Sequence, residues 1–242
     1  MVRPLPAAPT LRASLAVKRA LDIAGSLLLL IIASPVFLVI VIVLFIERPG
    51  SVFFKQQRIG RGGRRFGLLK FSTVRRSPTA EDLSGSHAAL NGQDADITKV
   101  AHFLRASGLN ELPQLVNILR GEMSFVGPRP AVLAHEQYYT DWHRKRLELS
   151  PGVTGLAQVC GRNAIPWGWR VALDRYYVEH YSLALDLAIL CKTAYVVLCR
   201  VGAEGEGSFY FDFTPPDRDI IAELKRVGVF RFNPDATRRG RG

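Results

Sequence analysis

The feature that most limits what this chain can fold into is the stretch from residue 27 to residue 46. It holds one polar or helix-breaking interruption, Ser34-Pro35. A helix rises about 1.5 Å per residue, so a run of this length reaches across a hydrocarbon core of about 30 Å. Core helices of soluble proteins are seldom apolar all round for so long. A cleaved leader has a shorter apolar region followed by small residues, whereas this run ends in Glu47-Arg48-Pro49-Gly50. The segment is therefore read as membrane-active. Pro35 removes a backbone donor and disfavours helix at Ser34. Both flanks are basic, with Arg3, Arg12, Lys18 and Arg19 before the run and Arg48, Lys55, Arg58, Arg61, Arg64 and Arg65 after it. Positive flanks favour the cytoplasmic side. The sequence thus predicts a re-entrant helix-break-helix over residues 17–48 that turns at Ser34-Pro35, with the Ser34 hydroxyl serving a freed carbonyl.

The chain has 242 residues and a formal net charge of +11, which suits one domain beside membrane and terminal segments. A basic balance fits nucleic acid, anionic lipid or phosphorylated substrates. Beside a membrane segment it points to lipid phosphate and sugar nucleotides. No zinc-finger spacing, RNP-like aromatic motif or helix-turn-helix is present, so nucleic acid is not an expected partner. Cys160, Cys191 and Cys199 form no CxxC pair and read as reduced thiols in the cytoplasm. The histidines show no metal spacing, and neither a P-loop nor a GxSxG elbow occurs.

Residues 1–16 read as a disordered N-terminal segment, 17–48 as the membrane hairpin, 49–201 as a catalytic domain, and 202–242 as a linker and basic tail. In the domain, a strand near residues 51–55, a Gly/Arg-rich turn over 59–65 and a strand over 66–73 predict a β-hairpin. Residues 76–96 are polar and loop-like. Helices are expected over 97–106, 113–120, 169–181 and 183–200, the last lying at a membrane interface, in the core, or partly in each. Residues 150–166 read as loop. The fold class is α/β, a compact α-rich cytosolic domain with a short β-hairpin and interfacial helices.

The densest motif runs from Asn110-Glu111-Leu112-Pro113-Gln114 to Gly127-Pro128-Arg129-Pro130. With Ser34-Pro35, Phe53-Phe54-Lys55-Gln56, Lys70-Phe71, Pro151-Gly152-Val153-Thr154-Gly155, Gly161-Arg162-Asn163-Ala164 and Leu173-Asp174, the chain resembles the bacterial sugar transferases. These are monotopic polyprenyl-phosphate phosphoglycosyl transferases that begin surface-glycan assembly. The resemblance implies transfer of a sugar 1-phosphate from a UDP-sugar to a polyprenyl phosphate, with release of UMP, at the cytoplasmic face of the bacterial inner membrane. It also implies contact with anionic inner-leaflet lipid and use of Mg²⁺.

The residues agree with phosphoryl chemistry, which is mostly positioning and charge neutralisation. Glu111 precedes a helix start, where backbone N–H groups favour a phosphate, and it is a candidate catalytic group and metal ligand. Arg129 is framed by two prolines that restrict its backbone and leave a planar fork for phosphate oxygens. Arg105, Lys70 and Arg162 are the other candidate substrate-binding cations.

The chain departs from the family at four places. Its nucleophile is an aspartate directly before the glutamate, and this chain has Asn110 there. An amide oxygen is neutral and a poor nucleophile, so Asn110 can position a phosphate or ligate Mg²⁺ but is not expected to form a phosphosugar ester. Ser72-Thr73-Val74, Leu156 and Cys160 also differ from the pattern. The competing readings are a catalytically silent, membrane-bound relative acting as a binding or regulatory subunit, and an enzyme that works without the covalent step or through Glu111.

Overall fold

A computed structural model describes residues 9–47, 52–73, 98–160 and 167–198. Arg162, Cys199, the expected loop at 76–96 and the expected linker and tail lie outside the described residues.

Helix α1 (Pro9–Glu47) is uninterrupted. This corrects the expected helix-break-helix, and it places residues 9–16 in regular structure rather than in a disordered segment. Pro35 withdraws the N–H that would have met the Ile31 carbonyl, and the Ser34 hydroxyl donates to that same oxygen at 2.8 Å. Packing supplies the rest. Lys18, Asp22, Ser26, Ile40 and Leu44 are buried, and Leu30 and Phe37 pack against core clusters from the same face. At the start of the helix, Leu15 joins the core and the Ser14 hydroxyl meets Tyr181. Proline disfavours a helix interior by about 3 kcal/mol. A stripe of buried apolar side chains, each contributing about 1.5–3 kcal/mol, outweighs it.

Strands β1 (Phe53–Ile59) and β2 (Arg65–Phe71) form the expected hairpin, in register from Phe53 opposite Phe71 to Ile59 opposite Arg65. Next come α2 (Lys99–Ser107) and α3 (Gln114–Arg120), then β3 (Ser124–Val126) and β4 (Ala131–Val132). β4 pairs with the free edge of β1 through Arg58–Val132 and Ile59–Ala131. α4 (Asp141–Arg144) leads to β5 (Gly152–Thr154) and α5 (Leu156–Cys160). Both β5 and α5 fall where the sequence reads as loop. β5 is too short for any period, and what makes it a strand is parallel pairing with β3, Ser124 opposite Gly152 and Val126 opposite Thr154.

Helices α6 (Trp167–Glu179) and α7 (Leu183–Leu198) complete the described chain. The core under them holds Val126, Leu149, Leu173, Tyr177 and Ile189. A second cluster, Phe66, Leu68, Leu115, Ile118 and Met123, fills the space between β2 and α3. A third joins Ile40 and Leu44 of α1 to Phe71 and Leu104. Among the described residues, Cys160 and Cys191 are free thiols.

Candidate active site

The site is assembled from three pieces of backbone. Helix α2 stops at Gly108, whose φ of 74° is a left-handed cap that glycine adopts without a Cβ penalty. The chain then makes a tight 3-10 turn over Leu109–Glu111, placing Asn110 and Glu111 side by side. Leu112 and Pro113 carry it into α3. That helix has only seven residues, so the helix-end field expected of it is small beside the full charges around Glu111.

The second piece is β2. The fully buried Asn117 of α3 accepts from Leu69 N–H at 3.0 Å and donates to Gly67 O at 2.8 Å. Both backbone groups belong to β2. The strand is thereby fixed against α3, and Lys70 Nζ comes within 2.8 Å of Glu111 Oε1.

The third piece is the Gly127-Pro128-Arg129-Pro130 loop between β3 and β4. Gly127 N–H donates to Thr154 O, and Gly152 N–H donates to Pro128 O, both at 2.9 Å. Any side chain at Gly127 would put its Cβ 2.3 Å from Ser150 O, so only glycine fits there. Arg146 donates to Arg129 O at 2.9 Å, and Arg58 Nη1 reaches Pro130 O at 3.4 Å. The loop is held from behind, and the half-exposed Arg129 side chain extends forward to 3.6 Å from Glu111 Oε1.

Electrostatics follow from this assembly. Burial alone would raise the pKa of Glu111, but Lys70 and then Arg129 more than reverse it and hold the carboxyl at about 2. Burial lowers Lys70 below its ordinary value, with Glu111 opposing. Arg58 is buried and bonded to Gln56 Oε1; burial, then the like charge of Arg129, lowers it to about 9. It still carries its proton at neutral pH. Behind the loop, Arg146 is enclosed with Asp174 and the Tyr139 hydroxyl. Among the described residues, Lys70, Arg129 and Arg58 surround the Glu111 carboxylate, with Asp174 acting on Arg129 from behind the loop. A partly buried cluster with surplus positive charge is suited to a polyanion.

The expected site residues divide on this geometry. Lys70, Glu111 and Arg129 converge, and Asn110 adjoins them in the same turn. Arg105 donates to Thr73 Oγ1 at 2.8 Å, which ties it to the end of β2 three residues past Lys70. Arg162 lies outside the described residues. Among the described residues no three His, Cys, Asp or Glu side chains group as metal ligands. Leu156 is buried in the core with Val126 and Leu173, and Cys160 packs against that cluster, so these two departures from the family pattern change packing. The sequence reading missed Arg58 and Arg146. Arg58 looked like one more flank charge, although its place on the buried alternation of β1 with Gln56 was a usable signal. Arg146 lies inside the charged run Arg144-Lys145-Arg146, which carries no local sign of burial.

Compared with known proteins, residues 13–200 match the family described as bacterial sugar transferase. The chain is 38% identical over 187 residues to the uncharacterized sugar transferase EpsL of Bacillus subtilis, covering 77% of this chain and 90% of EpsL. It is 40% identical over 204 residues to the undecaprenyl-phosphate galactose phosphotransferase of Salmonella typhimurium, covering 79% of this chain and 42% of that protein. It is 38% identical over 184 residues to the UDP-glucose:undecaprenyl-phosphate glucose-1-phosphate transferase of Caulobacter vibrioides, covering 73% of this chain and 67% of that one. The chain therefore spans most of EpsL but less than half of the Salmonella protein.

Proposed function

The chain belongs to the bacterial sugar transferase family, and on that premise we propose that it moves a sugar 1-phosphate from a UDP-sugar to a polyprenyl phosphate, releasing UMP. The observation that carries this reading is the Lys70–Glu111–Arg129 group under a proline-framed loop, with Arg58 behind it. The cations neutralise the diphosphate, and the planar fork of Arg129 orients it. The names of the Salmonella and Caulobacter relatives support the same donor and acceptor classes.

Mg²⁺ is proposed as the cofactor. Glu111 and Asn110 would hold it, since one carboxylate and an amide oxygen, with substrate phosphates, suit an ion that binds through few protein ligands. When bound it supplies further neutralisation of phosphate charge.

Asn110 sets the route. Without an anionic oxygen at this position, the reading that fits the residues is direct displacement. A phosphate oxygen of the lipid attacks the sugar-bearing phosphorus, and the bond to UMP breaks with its electron pair leaving on UMP. Lys70 and Arg129 hold the diphosphate in line, and no enzyme ester forms. The second reading, favoured by the same Asn110, is a silent relative that binds these phosphates and transfers nothing.

Membrane contact is proposed through two faces. The outer side of α1 exposes Leu21, Leu28, Ile31, Ile32, Val39 and Phe45. Helix α7 buries Asp186 beside Ile189 and Val196 and exposes Leu187, Leu190, Cys191, Ala194 and Val197. Both ends of α1 touch one domain, through Lys18–Asp186 and through Thr98 donating to Glu47. That supports placing both ends on the cytoplasmic side, as the basic flanks suggest.

Radiolabelled UDP-sugars and purified protein in vesicles test the assignment. UMP release that depends on polyprenyl phosphate is expected, with no protein-bound phosphosugar. Nucleotide binding without release would decide for the silent relative, and a trapped phosphosugar on the parent chain would rule out direct displacement. Asn110→Asp is expected to introduce such an adduct.

A further inference from the structure

Helix α1 does more than face lipid. Two of its side chains, one turn apart, each grip an element that carries half of the site. Arg19 donates through both terminal nitrogens to the last carbonyls of α3, to Ile118 O at 2.6 Å and Leu119 O at 2.8 Å. These carbonyls lie in the last turn of α3, where Ile118 O also accepts from the capping Gly121 N–H at 2.9 Å, and a cation at a helix C-terminus satisfies the acceptor capacity that remains. α3 is continuous with the turn bearing Asn110 and Glu111, and its Asn117 fixes the strand of Lys70. Asp22 is buried and accepts through Oδ1 from Phe125 N–H at 3.0 Å and from the Ser124 hydroxyl at 3.1 Å. Both donors belong to β3, which runs directly into Gly127 and Arg129. Just past Asp22, α1 lies close against the domain. A Cβ at Gly25 would stand 2.9 Å from the Phe125 ring.

We propose that Arg19 and Asp22 are positioning residues, and that α1 is the common mount setting Arg129 against Glu111 across the gap between β3 and α3. The chain joins α3 to β3 through residues 121–123, and the β2–β1–β4 sheet joins the strand of Lys70 to the end of the Arg129 loop; α1 adds a side-chain tie to both halves. Arg129 and Glu111 are 3.6 Å apart, yet one is carried by β3 and the other by the α3 unit, and α1 is gripped by both. A shift of about 1 Å between these halves costs on the order of a hundredfold in a reaction that depends on in-line geometry. The lipid-facing helix is in this way part of the catalytic scaffold. The inference rests on the phosphoryl-transfer reading for its consequence in turnover, but its geometric content does not.

The experiment uses the full chain in vesicles. Arg19→Met keeps the aliphatic stem and removes the fork. Asp22→Leu removes the acceptor, while Asp22→Asn keeps an Oδ1 that can still accept from Phe125. Membrane retention, thermal midpoint, kcat and KM are measured for each. Arg19→Met and Asp22→Leu are expected to lower kcat at least about tenfold with retention unchanged, and Asp22→Asn to recover most of the loss. Parent kcat in the first two, or a loss that tracks only membrane retention, would overturn the proposal. Hydrogen exchange at the Gly127 and Gly152 amides supplies a reading that needs no turnover. Faster exchange there in Asp22→Leu, with α6 amides still protected, supports the mount. Unchanged or uniformly faster exchange overturns it. A parent chain that turns over nothing sinks the proposed activity alone, and the exchange result then decides the mount.

Discussion

Glu111 and Asp174 are both carboxylates shielded from water beside a cation, yet their acidities move in opposite directions. Burial pushes each upward. At Glu111 a 2.8 Å contact with Lys70 and the nearby Arg129 more than reverse the effect, and the group falls to about 2. At Asp174, Arg146 offsets only part of the cost of burial, and the group stands at about 6. Arg146 is shared among three acceptors, Asp174, the Tyr139 hydroxyl and Arg129 O. The enclosure of Asp174 is also nearly complete. Distance to the nearest cation therefore does not set the state of a buried acid. The water that remains, and how far the nearest cation is committed to other acceptors, do. Glu111 is a standing negative charge in a positive cleft, while Asp174 supports the loop behind it with a charge only marginally held at neutral pH.

The sharpest way to break this comparison is to remove the cation from the enclosed pair. Arg146→Ala leaves Asp174 unpaired and the Arg129 carbonyl unheld, and is expected to cost about 3–5 kcal/mol of folding stability. Urea unfolding measures it. Replacing both partners, Arg146→Met with Asp174→Leu, is expected to recover much of that stability, because the unpaired charge is gone. A single variant as stable as its parent would mean that Asp174 is neutral or solvated in the folded chain.

How far this contrast was legible beforehand depends on what each residue's neighbours in sequence reveal. The hairpin was visible from its alternating strands and Gly/Arg turn, and Arg129 from its two prolines. Lys70, Glu111 and Asn110 came from motif resemblance, and the structure brings them together through Asn117, a contact no local pattern carries. The continuity of α1 through Pro35 could not be read from the local breaker. It depends on the side chain of Ser34 and on Phe37, Ile40 and Leu44 finding Phe71 and Leu104. β5 needed β3 as a partner. Asp174 was seen only as part of a motif, since a lone acid on a helix looks solvated until Arg146 is known to be beneath it.

Next in expected size are the cations of the open site. Lys70→Met takes away the strongest attraction on Glu111, so its carboxyl should climb by about 1–3 pH units, read by carbon-13 NMR titration. Glu111 would then behave as Asp174 does. A midpoint still near 2 would assign the depression to Arg129 instead. Arg129→Ala is expected to weaken UDP-sugar binding or turnover by about 1.5–3 kcal/mol, as for a charge-assisted hydrogen bond. A folded variant with parental affinity would remove Arg129 from phosphate recognition.

The smallest effect separates the two acids by pH. For Asp174 the folded value of about 6 lies above the ordinary value of about 3.9. Between those limits the folded chain keeps a proton that the unfolded chain has lost. Stability from this group therefore falls as pH rises from about 4 to about 6 and is flat beyond, at a slope of at most about 1.4 kcal/mol per unit. Glu111 works in the other sense: its folded value is depressed to about 2, so its contribution is present above about 4.5 and is lost as pH falls toward 2. The windows barely overlap, and Asp174→Asn isolates the upper one. Unfolding midpoints of parent and variant are compared at about pH 4.5, inside that window, and about pH 7.5, beyond it. The Asn variant should gain on its parent as pH rises, because it has no proton to release. An equal difference at both values would show that Arg146 keeps Asp174 ionised throughout, and that the two carboxylates differ less than their surroundings imply.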